Sequence, residues 1–286
     1  MAKQNRSLHK KNTSAKVTTY IILLIGAFIS LIPFVWMIST SFKSLGEALG
    51  SSFFPSELHF ENYVEAWQRA RFSEYFINSI VIAAITLTGQ VTFSIFAAYA
   101  FARIKFPGRD FIFGVMLSTM MIPAMVNIIP NFLTVTWLGR IGPIKWINNW
   151  PALTVPFMGS VFAIFLLRQF FAQIPDELYD SAQIDGAGHF RFLWQIAVPL
   201  SKASIMVIVV LSFIGTWNSL AWPMLVTNTP DWRPISVGLM NFVQEAGQQI
   251  NLTMAGAFIT IIPIMVIYFF TQKQFTESIA RSGLKG

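Results

Sequence analysis

The sequence predicts an all-α integral membrane protein with six transmembrane helices. Three observations predict it. Hydrophobic residues fill 54% of the 286 positions and charged residues only 12%, whereas a soluble domain carries about 25% charge. Apolar runs long enough to cross a bilayer as helices, about 20 residues each, recur six times. The twenty Lys and Arg residues divide unevenly between alternate loops, the asymmetry that orients helices in membranes.

Residues 1–16 form a basic N-terminal tail. The first span, about 17–40, reads "VTTYIILLIGAFISLIPFVWMIST". Its apolar core is too long for a signal peptide and no small-residue cleavage site follows, so it is expected to stay as a span. The second covers about 77–101 and the third about 111–137. The fourth covers about 152–170, the fifth about 202–225 and the sixth about 252–271. Together they define a domain over 17–275, with a loop at 171–200 and a C-terminal tail at 276–286. Pro33, Pro123, Pro130, Pro156 and Pro263 lie inside these runs and are expected to kink them.

Fourteen of the Lys and Arg residues fall on the side shared by the two tails, the loop near 102–110 and the loop at 171–200. The other side has six. Both termini are therefore expected in the cytoplasm. The net charge of +7 follows from this distribution and suits lipid headgroups; no nucleic-acid partner is expected.

Several chemistries are disfavoured. The chain has no cysteine, and its three histidines (His9, His59, His189) lack ligand spacing, so no metal site is expected. No phosphate-cradling loop, HExxH or Ser-His-Asp order is present, so no catalytic site and no cofactor are expected in this chain. No Asp, Glu, Lys or Arg lies deep in a span, which weighs against a proton-coupled transporter or a voltage sensor. The polar or amphipathic groups nearest the membrane interior are Gln90, Asn127, Asn131, Trp217 and Asn218. Their plainer role is interhelical hydrogen bonding; the sharper one is to line a substrate pathway, with Trp217 as a stacking platform.

The loop carries "IPDELYDSAQIDGAG" at 174–188, where four of the thirteen acidic residues gather. Pro175 suits a first helical position, and Asp176 and Glu177 suit the positive end of a helix dipole. Leu178, Ser181, Ala182 and Asp185 fall on one face, with two small residues at its centre and Gly186 as the C-cap. Such a face either docks a partner protein or is ordinary solvated surface. The following "HFRFLWQIAVPL" is expected to lie at the membrane interface before the fifth span.

"DSAQIDGAGHFRFLWQIAVPL" resembles the EAA loop of ABC importer permeases. Asp180, Ser181 and Ala182 stand where Glu-Ala-Ala is usual; Asp185, Gly186 and Ala187 match Asp-Gly-Ala, and Pro199 the terminal proline. "PFVWMISTSFKS", "FFPSELHFENYVEAW", "FINSIVIA", "AAYAFARIKFPGRDFIF" and "IPIMVIYFFTQKQF" are similar to blocks of the MalG-type carbohydrate permeases. The resemblance implies a MetI-like permease fold and a role as the membrane subunit of an ATP-driven carbohydrate importer. It implies a second homologous permease subunit, a homodimeric ABC ATPase that binds ATP and Mg, and an extracytoplasmic solute-binding protein. It also implies that Glu177, Asp180, Ser181, Ala182, Asp185, Gly186 and Ala187 couple to the ATPase, and that the tail reaches it. The alternatives are an importer of a non-sugar solute and an ATP-independent channel or secondary transporter.

Overall fold

A computed structural model describes residues 2–247 and 249–283, with side chains for 16–247 and 249–272. The basic residues Lys3, Arg6, Lys10 and Lys11 and the expected C-terminal tail lie outside the described side chains. Among the described residues every regular element is helical: α1 (Ala2–Ser41), α2 (Leu45–Ala48), α3 (Glu61–Arg69), α4 (Phe72–Arg103), α5 (Arg109–Ser118), α6 (Ile128–Ile141), α7 (Trp150–Thr154), α8 (Val161–Ala172), α9 (Asp176–Ile184), α10 (His189–Phe192), α11 (Val198–Leu200), α12 (Lys202–Trp217), α13 (Ala221–Val226), α14 (Ile235–Ala246) and α15 (Ile250–Gly283).

Three helical stretches are long and apolar enough to cross a membrane: Lys16–Ser41, Phe72–Arg103 and Ile250–Gln272. Three bent pairs qualify as well, giving six if each pair is one span. These pairs break the apolar runs read from sequence. The third run turns by 95° between Arg109–Met121 and Ala124–Ile141, at Pro123, which has an extended ψ of 134°. The fourth bends by 41° between Trp150–Phe157 and Val161–Ala172, where Ser160 caps the new helix by accepting from Ala163 N at 3.2 Å. The fifth stops at Trp217, and α13 follows as a separate short helix. Pro33 and Pro263, in contrast, sit inside continuous helices.

The chain divides into two compact units, residues 1–69 with 242–259 and residues 70–241 with 260–286. In the first, Asn62 is the organising polar group. Its Nδ2 donates to Ser41 O and Lys43 O, both at 2.9 Å, and its Oδ1 accepts from Asn251 Nδ2 at 3.0 Å. Among the described residues, the large side chains of α1 from Tyr20 to Trp36 are exposed, a surface only an apolar environment covers.

In the second unit α4 is the central helix, packed most extensively on α8 and then on α12. A small residue lets the turn before α8 approach α4 closely: a Cβ at Gly89 would lie 2.6 Å from Met158 Cγ. One core cluster joins Ile95, Ala98, Tyr99, Leu167, Phe171, Ala182, Phe192 and Ile208; another joins Ile82, Val135, Leu153, Trp222 and Val226. Arg168 fastens α8 to its neighbours, donating to Phe101 O at 3.3 Å and lying 4.2 Å over the Phe113 ring.

Gly238 is buried against Tyr75, and a Cβ there would overlap the tyrosine ring. Gly238→Ala is therefore expected to cost about 1–3 kcal/mol, seen as a lower thermal unfolding midpoint of the detergent-solubilised protein than for Gly114→Ala, where the added Cβ meets nothing.

Candidate functional site

The acidic stretch folds as one short, closed helix. Pro175 occupies the N-cap (φ −55°, ψ 141°) rather than the first helical position expected, and α9 starts at Asp176. Asp176 and Glu177 fill the first turn, where the helix dipole favours carboxylates. At the other end Gly186 takes φ +76°. Its N–H donates to Gln183 O at 2.9 Å and the Ala187 N–H to Ala182 O at 2.8 Å, the paired bonds of a Schellman closure. Gly186 thus ends the helix as its place in the sequence predicts.

The face α9 presents overlaps the one expected, since Leu178, Ser181 and Asp185 are exposed, but Ala182 is not part of it. Ala182 is 6% exposed and packs in the core cluster with Phe171 and Phe192. Tyr179 also turns inward, stacked on His189 with centroids 5.1 Å apart and edge-on to Phe192 at 5.0 Å. With Tyr179 and Ala182 inside, helical period places Glu177, Asp180, Ser181 and Ile184 outside, and all four are exposed. Ile184 is 87% exposed, an apolar knob between carboxylates. The Ser181 hydroxyl donates back to Glu177 O at 2.7 Å. Asp185 is exposed, and Ala187 is half-buried against the core. The face is rotated from expectation because the segment after Gly188 folds back on α9: Phe192, Leu193 and Ala197 are buried, while Phe190 and Trp194 stay exposed beside Phe96.

The loop is held by two residues that sequence reasoning missed as such. Arg103, in the last turn of α4, has a side chain only 9% exposed. Its Nε donates to Phe171 O at 3.0 Å, its Nη2 to Ile174 O, and its Nη1 pairs with Asp176 Oδ1. One turn earlier, Tyr99 OH lies 3.0 Å from His189 Nδ1, and Tyr179 OH reaches the same ring at 3.1 Å. The available signal was their spacing: positions i and i+4 on the helix end that meets the loop. Arg103 counted only as a topology charge.

The expected pathway residues are not brought together. Gln90 faces a cavity of about 290 Å³ lined also by Ser79, Ser160, Ser212, Thr216 and Ser219. Ser79 Oγ is occupied there, accepting from Ile235 N at 2.7 Å. Thr86 Oγ1 and Ser94 Oγ, one turn either side of Gln90, are buried without a hydrogen-bond partner among the described residues. Trp217 lies elsewhere. It is 3% exposed, stacked on Phe213 at 5.3 Å and edge-on to Phe76 at 5.5 Å, and its indole N–H donates to Thr260 O at 3.0 Å. Its indole N–H is thus taken by a main-chain carbonyl, and its ring borders a separate apolar pocket lined also by Ile80 and Pro263. Asn127 and Asn131 are exposed one turn apart at the start of α6, and Asn218 is exposed just past α12. None of the three lines the cavity. Among the described residues no cluster of His, Cys, Asp and Glu has a geometry suited to a metal ion.

The profile of the binding-protein-dependent transport system inner membrane component matches residues 90–275. The diacetylchitobiose uptake system permease protein NgcG of Streptomyces coelicolor is 28% identical over 92% of this chain and 87% of its own length. The sn-glycerol-3-phosphate transport system permease protein UgpE of Yersinia pestis is 36% identical over 72% of each chain, and that of Brucella abortus is 32% identical over 92% of this chain and 95% of its own. The fold matches a crystal structure of a bacterial ABC transporter involved in the import of alginate, with a TM-score of 0.78 and 24% identity over 90% of this chain and 95% of that one. With six candidate spans, a closed acidic helix and a matched region covering most of the chain, the protein belongs to the family of inner membrane components of binding-protein-dependent transport systems.

Proposed function

We propose that this chain is the permease subunit of an ATP-driven importer that moves a carbohydrate into the cytoplasm by alternating access. The observation that carries the reading is the outward face of α9. A docking surface needs groups that are exposed, fixed and chemically distinct from the surrounding solvated loop. Glu177, Asp180, Ser181 and Ile184 meet that description on a helix that starts after Pro175 and is closed at Gly186. In this reading α9 seats on a separate, homodimeric ATPase, and Ile184 is the knob that enters its surface. The ATPase binds ATP and Mg and carries out the hydrolysis; this chain contributes no catalytic group. Asp185, Gly186 and Ala187 act through the closure that fixes the end of the helix, and Ala182 through the core contact that fixes its rotation.

A second, homologous permease completes the translocation path, and an extracytoplasmic binding protein delivers the solute. The exposed apolar surface of α1 and the exposed amides Asn127 and Asn131 are surfaces for lipid and for that second subunit. The carbohydrate cargo is supported by the relatives, one an uptake system for diacetylchitobiose, and by a cavity wall of hydroxyls, one amide and aromatic rings, groups that match the polar edges and apolar faces of a sugar. The 36% identity to a glycerol-3-phosphate permease supports a second reading, a small polyol phosphate. Reconstituting the importer with its binding protein and measuring ATP hydrolysis across neutral glycans, uronates and glycerol phosphate separates the two. Stimulation by none of them would refute both.

Three variants test the assignment. Gly186→Leu forces a side chain into a left-handed backbone, a cost of about 1–2 kcal/mol, and adds bulk where the docked partner sits. It is expected to leave the chain inserted and to abolish uptake; normal uptake would sink the docking role of α9. Ile184→Asp keeps the exposed helix but replaces the knob with charge, so co-purification of the ATPase should weaken. Gln90→Leu, by removing the amide that faces the cavity, should reduce uptake while binding-protein-stimulated ATP hydrolysis persists. Uptake equal to the unsubstituted importer would remove Gln90 from the pathway.

A further inference from the structure

The two residues that hold the acidic loop come from a single turn of a single helix. Tyr99 and Arg103 stand four residues apart at the end of α4, hence on one face. Arg103 grips the entry to α9 through two main-chain carbonyls and Asp176. Tyr99 grips the exit through His189, which is stacked on Tyr179 of α9. The grip of Arg103 is unequal in its environment: its own side chain is 9% exposed, that of Asp176 87%. The guanidinium is thus fixed within the unit by carbonyls, and the carboxylate reaches back to it from the solvent side. Asp110 lies 3.9 Å from Arg168 and not within ion-pair distance of Arg103, so no second carboxylate competes for it among the described residues. The same helix, three to six turns away, carries Gln90 and Ser79 into the cavity wall. α4 runs unbroken from Phe72 to Arg103, so a displacement of α9 delivered to its end reaches the cavity without a hinge.

We propose that Tyr99 and Arg103 are positioning residues that strap the docking helix to α4 and transmit its movement to the translocation cavity. The inference rests on the docking role of α9 given above. It assigns the transmission to this turn rather than to the packing of α8 on α4, which consists of apolar core contacts and the Arg168 bond to Phe101 O. Arg103 suits the role because its planar fork holds three acceptors at once, a geometry a lysine ammonium at the end of a flexible stem does not reproduce.

The test uses the complete importer with its ATPase and binding protein in liposomes. The quantity read is solute moved per ATP hydrolysed, which loss of fold alone would not change in assembled complexes. Arg103→Gln is expected to lower that ratio about 10-fold, the scale of a severed coupling contact, while ATP hydrolysis continues. Arg103→Lys should recover it only in part, and Tyr99→Phe should lower it by a smaller factor. The chain has no native cysteine, so R103C with D176C can be bridged by a short bismaleimide; bridging should restore the ratio that R103C alone loses. An assembled Arg103→Gln importer with an unchanged ratio, or a bridged pair that stays uncoupled, overturns the proposal. If Arg103→Gln does not assemble, Arg103→Lys and Tyr99→Phe carry the test, and unchanged ratios in both overturn it. Cross-linking from Ile184→Cys to the ATPase separates the two levels. Absence of that cross-link in the otherwise unsubstituted importer refutes docking by α9, and with it the strap. Its persistence beside an unchanged ratio in Arg103→Gln refutes the strap alone.

Discussion

Inside a bilayer a backbone amide finds no water, so each N–H and C=O has to be satisfied by the protein itself. The spans of this chain answer to that constraint. It explains why every regular element among the described residues is helical, and why several breaks in the helices coincide with groups that repair them. Ser160 caps α8, Asn149 accepts from Trp150 N at 2.8 Å where α7 begins, and the Trp222 indole donates to Ala152 O at 2.8 Å where α13 crosses α7. Arg103 is the same device at the edge of the spans. Two of its three acceptors are main-chain carbonyls: Ile174 O in the connection to α9, and Phe171 O in the last turn of α8, among the groups a helix terminus leaves without an intrahelical partner.

How much of this was legible in the sequence follows from the same physics. The all-helical membrane fold was legible because hydrophobicity and charge asymmetry are properties of segments, averaged over many residues. The bends were only half legible. Proline marks where a helix can break, yet Pro123 sits at a 95° turn while Pro33 and Pro263 are carried inside helices. A proline in the sequence therefore does not by itself say whether the helix breaks there. Within the acidic stretch the closure at Gly186 was legible because positive φ selects glycine. The outward face was not. Leu178, Ser181, Ala182 and Asp185 share a face on any helix, but which face is buried depends on Phe192 and His189, fixed by a fold-back that periodicity does not reveal.

The pathway residues show the limit most plainly. Amides and a tryptophan inside apolar runs can pack, bond to a neighbouring helix or meet a solute, and sequence treats all three alike. In the structure Gln90 meets a cavity, Trp217 is enclosed by Phe76 and Phe213, and the asparagines lie on the surface. The hydroxyls of Ser212, Thr216 and Ser219 belong to the same cavity wall as Gln90. They went unnoticed because serine and threonine are common in membrane helices, where they bond to their own backbone.

The fixing of α9, by Arg103 at its start and by Gly186 at its end, has a thermodynamic consequence. A nine-residue segment that ordered only on meeting its partner would lose roughly 1–2 kcal/mol of backbone entropy per residue at that moment. Here the ordering is complete before contact, so the association needs few strong contacts to occur, and little holds it once conditions change. A helix that engages and releases in every cycle benefits from binding weakly. Rigidity set in advance by a proline, a glycine and an arginine lets it remain specific while doing so.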